Sequence, residues 1–149
     1  MEVSGDPALN GWIAKKIWPE EEAVDIPDFL PDNVRVPFQQ ALDNLTRKNW
    51  DAAGMMFRKA LEVGTKAIDP SLASKKLVVR IDELAARYAI TPDLKDWAHK
   101  IRIGGNDAAH DDDPFEETEA VDLEYFCRLF LTYVFTLPAK LKQRVDSNP

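Results

Sequence analysis

"LEYFCRLFLTYVFTLPAKL", residues 123–141, decides the fold. Between Leu123 and Leu137 the side chains are almost all apolar. Glu124, Arg128 and Thr132 are spaced by four and so fall on one side of a helix. A helix that is apolar on most of its circumference must be buried on most of it. Either it is the central rod of a bundle, or it also meets its own copy across a two-fold axis. The excess apolar face leads us to expect a homodimer built through the 121–137 helix.

Upstream, "DPFEETEAVDLEYF" starts this last helix. Asp113 is the expected N-cap, with Pro114 next and Glu116 in the capping-box position; Thr118 is a second possible cap. Further upstream, "VRVPFQQALDNLTRK" places Val34, Phe38, Ala41, Leu42 and Leu45 at helical spacing, with Pro37 expected in the first turn. "NWDAAGMMFRKALEVGTKAI" follows after a link so short that the two helices must form an antiparallel pair. "KLVVRIDELAARYAI" is a third helix. "TPDLKDWAHKIRI" is a fourth, opened by Thr91 as cap and Pro92 at the first helical position. No strand-period segment of useful length is present. The expected fold is therefore all-α, a four- to five-helix bundle over residues 33–145. Residues 1–32 read as an extended arm, because Pro19, Pro27 and Pro31 disfavour helix. Trp12, Ile13, Ile17, Trp18, Ile26, Phe29 and Leu30 suggest that the arm lies against the body.

The 149 residues suit one domain with a real core. A net charge of −7 argues against non-specific binding to DNA or RNA, which needs a dense basic surface. The single cysteine, Cys127, can form neither an intramolecular disulfide nor a multi-cysteine zinc site, and its apolar surroundings suit a buried packing residue. The N-terminus has no apolar signal-peptide core, and the 123–137 run is too short and too charged to span a bilayer. A cytoplasmic protein without cofactor or resident metal is expected, with no membrane association.

"IRIGGNDAAHDDD", residues 101–113, concentrates the chemically capable side chains. Arg102, Asn106 and His110 are four apart and form one polar row if the helix continues. Gly104 and Gly105 mark a bend or a close approach of another backbone. On a functional reading, Arg102 holds a phosphate with its planar fork, His110 is general acid or base, and Asn106 orients substrate or imidazole. On a structural reading, Arg102 pairs with a carboxylate from a neighbouring helix, with Glu62 of "FRKALE" as the candidate. Asn106 and His110 then satisfy the junction, while Asp111–Asp113 sit at the positive end of the last helix. His110 with the aspartates could also ligate a metal, but adjacent loop residues seldom converge on one ion.

"FRKALE", which carries Arg58 and Glu62, "LKDWAHKIRIGGNDAAHD" and "PFEETEAVDLEYFCRLFLTYVFTLPAKL" together resemble a bacterial helical domain-of-unknown-function family. That family is found alone and in restriction-type defence proteins, and the resemblance covers roughly residues 33–140. The family is similar in turn to the HEPN superfamily of small helical dimers. The resemblance implies one of two functions. One is a non-catalytic interaction or ligand-binding module of a prokaryotic defence or nucleic-acid-related system, with a protein or RNA partner. The other is a metal-independent endoribonuclease using Arg102 and His110. Seven residues separate that pair here, where the nuclease pattern has four to six between its arginine and histidine, and Ile103 replaces the usual polar neighbour. The departures favour the module.

Overall fold

The computed structural model describes residues 25–103 and 112–147. Among these the chain is all-α. The helices are α1 (Asp32–Thr46), α2 (Trp50–Ile68), α3 (Leu77–Arg87), α4 (Pro92–Ala98), α5 (Glu117–Leu131) and α6 (Leu137–Asp146). A short 3₁₀ turn, Pro70–Leu72, follows α2. A π turn, Thr132–Thr136, joins α5 to α6, so the two read as one long rod and the bundle as five helices. Pro138 accounts for the interruption. It has no N–H, and its ring pushes away the carbonyl four residues back, so the turn before it widens. The expectations for Trp12, Ile13, Ile17 and Trp18 lie outside the described residues.

α1 and α2 form the expected hairpin, and α2 is the hub, packing against α1, α3 and α5. Phe38 and Phe57 meet edge-on at 5.5 Å between ring centres, sealing α1 to α2. Phe126 stacks on Phe130 at 5.7 Å and receives the edge of Trp97 at 6.2 Å, which ties α4 to α5. Cys127 is fully buried, and burial pushes its thiol well above the usual range, so it is an inert packing residue. Pro37 differs from expectation. It lies in the second turn of α1, because Pro31 already accepts from the N–H groups of Val34 and Arg35 and starts the helix at Asp32.

The polar stripe of the last helix has a definite occupant. Arg128 pairs with Glu124 at 2.9 Å and donates to the carbonyl of Asp25. Thr136 donates to the carbonyl of Asp28 at 2.6 Å, and Lys140 approaches the Asp28 carboxylate at 3.8 Å. Residues 25–28 therefore run along α5 toward α6. Ile26 and Leu30 pack on the core, whereas Phe29 is exposed.

Two helices end in left-handed caps without glycine. Lys48 and Ala89 have φ of 63° and 54°. Asn49 N–H returns to the Asn44 carbonyl and Ile90 N–H to the Ala85 carbonyl, closing six-residue C-terminal motifs. A Cβ is disfavoured there, so Ala89→Gly is expected to raise stability by about 0.5–1 kcal/mol in urea unfolding. A loss would contradict this account.

At the end of α2, Asp69 accepts from the N–H and hydroxyl of Ser71 and pairs with Arg87 of α3. The Ser71 hydroxyl bond first, then Arg87, hold its carboxyl down at about 2. The unfolded carboxyl titrates near 3.9, so the folded pKa is the lower one. The stabilisation is present above about pH 4 and is lost as pH falls toward 2. Acid titrations of wild type and Asp69→Asn are expected to differ in stability at neutral pH and to converge by about pH 2.

Candidate functional site

Arg102 follows the end of α4 at Ala98, so the chain has already left the helix when it reaches this residue. α4 stops with its last N–H bonds closing on Asp96 and Trp97, leaving 101–103 outside any helix with Ile101 and Ile103 buried. The expected continuation of the helix therefore stops short of Arg102 itself. Gly104, Gly105, Asn106, His110 and Asp111 lie outside the described residues.

The guanidinium of Arg102 is held on three sides. Nη1 donates to the carbonyl of Pro114 at 3.0 Å and reaches the Glu119 carboxylate at 3.4 Å. Nη2 donates to the carbonyl of Asp113. The guanidinium carbon stands 4.2 Å from the centre of the Phe115 ring, in cation–π geometry. The side chain is only 11% exposed.

Beneath it, Phe115 lies directly on Gly54 of α2. A Cβ at Gly54 would come within 2.3 Å of the ring, so only glycine admits it. Asp51, in the first turn of α2, accepts from the Phe115 N–H at 2.8 Å. Glu119 accepts from the Glu116 N–H at 2.9 Å and completes a capping box with Glu116 as N-cap. The helix start thus falls three residues after the expected Asp113 cap. The cause is local: with the Asp113 and Pro114 carbonyls on Arg102 and Phe115 inserted over Gly54, the chain cannot turn helical before Glu116.

The expected Arg102–Glu62 pair is also corrected. Glu62 pairs with Arg80 of α3 at 2.9 Å. Arg80 is almost fully buried and donates as well to the Glu62, Ala73 and Lys75 carbonyls and to Thr65 Oγ1. Glu62 stands eleven residues beyond Asp51 on α2, about 16 Å along the axis, and so faces α3 rather than Arg102. Arg80 went unrecognised in the sequence. Its signal is a lone cation among Leu77, Ile81 and Leu84, on the apolar face of α3.

Arg58 and Arg102 do come together. They share a polar hollow of about 230 Å³ with Asp51, Met55, Asp112, Asp113 and Phe115. Asp51, Asp112 and Asp113 line the hollow beside the two arginines, and Asp51 already accepts from the Phe115 N–H, so the hollow offers mixed charge rather than a simple anion site.

Fold and site together define a small all-α bundle domain with an arginine-clamped helix junction. The chain belongs to the family described as domain of unknown function DUF4145, whose model matches residues 39–148. Comparisons with curated proteins and with solved structures give no match. Among the described residues no helix is long and apolar enough to cross a membrane.

A structural role for Arg102 has a direct test. Lysine keeps the charge but cannot reach both carbonyls and lie flat on Phe115. Arg102→Lys is expected to lose about 1–3 kcal/mol in chemical denaturation; unchanged stability would mean that the clamp is unimportant.

Proposed function

We propose that this chain is a non-catalytic, dimeric helical interaction and ligand-binding module of a prokaryotic defence or nucleic-acid-related system, acting in the cytoplasm. The observation that carries this reading is the engagement of Arg102. Both terminal nitrogens donate to backbone carbonyls, and the flat face is stacked on Phe115. A catalytic arginine must present its donors to a substrate phosphate. Here the donors hold the start of α5 in place. The net charge of −7 and the departures from the nuclease spacing point the same way. The dimer through the 121–137 helix is supported by large apolar side chains left exposed on it, Tyr125 and Leu129 among them.

One observation favours a second reading, a HEPN-like endoribonuclease using Arg102 and His110. Arg58 joins Arg102 in lining one hollow, so two cationic side chains border a common space. Incubating wild type and His110→Ala with structured and single-stranded RNA in chelator separates the two. The module reading expects no cleavage by either protein. Metal-independent cleavage that disappears in His110→Ala would replace it with the nuclease.

A further inference from the structure

The rod α5–α6 has an exposed apolar row that the bundle does not use. Tyr125 is 58% exposed and Leu141 66%, with Leu129, Leu137 and Val145 also open to solvent. α6 buries none of its residues, and its substantial packing is against the π turn alone. α6 continues α5 through the π turn, so it is held by the rod, yet its apolar side chains have no covering surface among the described residues. In an α-helix, steps of four drift by about 40°. The wider π turn between Leu129 and Leu137 sets that drift back, keeping the row on one side.

The row is self-complementary about Tyr133, a half-buried side chain that also packs on the core. Leu129 and Leu137 are equidistant from it, and so are Tyr125 and Leu141. One turn further out, acidic Asp122 mirrors basic Arg144. An antiparallel copy of the rod would therefore set apolar against apolar along the seam and opposite charges at both ends. A two-fold interface requires this pattern, since the same patch serves both partners.

We propose that two copies of this chain pair antiparallel through α5–α6, with the axis at Tyr133, the partner subunit's Leu137 against Leu129, and the partner subunit's Arg144 against Asp122. The proposal rests on the dimer reading above and adds its register and its second half, α6. Charge complementarity selects a copy of the chain over other occupants. An acidic or a basic partner helix would satisfy one end of the row and repel the other.

The register is testable in the full chain. Packed helix axes lie about 8–10 Å apart and Cα atoms about 2.3 Å off the axis, so a residue on the two-fold faces its copy within disulfide reach. Tyr133→Cys is expected to form an intermolecular disulfide under mild oxidation. Leu141→Cys is not, because its copy lies about 24 Å away. Cys127 is buried and stays silent. Independently, Asp122→Arg is expected to weaken dimerisation about tenfold in sedimentation, and the combined Asp122→Arg, Arg144→Asp variant to restore it. A dimer with no Tyr133→Cys disulfide and no response to the charge reversal would overturn the register while leaving a dimer. A monomer at micromolar concentration would overturn both. A monomer whose Leu141→Cys thiol becomes labelled only after residues 1–24 are removed would assign the row to the N-terminal arm and overturn the proposal.

Discussion

The insertion of Phe115 between Gly54 and Arg102 is the contact on which the rest of this end of the molecule depends. The ring needs a glycine beneath it, since any Cβ would overlap it. It needs a flat cation above it, and Arg102 fits because guanidinium is planar and weakly hydrated. Burying such a ring contributes about 1.5–3 kcal/mol, and the cation–π contact about 0.5–2 kcal/mol more. The same insertion fixes where α5 begins. Asp51 takes the Phe115 N–H, Arg102 takes the two preceding carbonyls, and Glu119 links the helix cap to Arg102. Three separated stretches of sequence are joined by one aromatic side chain.

A second arginine does the corresponding work at the other end of α2. Arg80 spans α2, α3 and the turn between them, with donors on three carbonyls, a hydroxyl and the Glu62 carboxylate. A buried charge is tolerated only when its donors are met, and here the loop is shaped to meet them. At this same end of α2, on another face, Gly64 lets the α5–α6 rod approach closely. A Cβ there would crowd Leu131 at 3.3 Å and Phe135 at 3.4 Å. Both ends of α2 thus combine a glycine on its surface with an arginine from another element. The long rod is positioned by α2 rather than by its own caps alone.

The helices could be read from the chain because apolar spacing is local, and Thr91 with Pro92 announced α4 without ambiguity. The arginine partners could not be read. Glu62 looked like the mate of Arg102 only because "FRKALE" places a carboxylate on a central helix. Which arginine reaches it depends on how far along α2 each crossing occurs, and that is a distance in space, not in sequence. The same holds for the start of α5. Asp113 and Pro114 carry the composition of a cap, yet tertiary contacts of their carbonyls override it. The polar stripe on α5 was legible as a stripe. Its meaning required residues 25–28, more than a hundred positions earlier in the chain, to supply the carbonyls.

The arm and the exposed row divide the outer surface of the rod between them. Arg128, Thr136 and Lys140 carry the backbone of residues 25–28 on one flank. Tyr125, Leu129, Leu137 and Leu141 lie alongside on the next face, outside that track. A helix presenting three functions on three faces cannot have the ordinary amphipathic pattern. One face meets the core, one holds the arm, and one remains for a partner, so its composition is nearly apolar all round. The dense apolar run that looks excessive for one small bundle is therefore accounted for face by face. Among the described residues, only the third face lacks a covering surface.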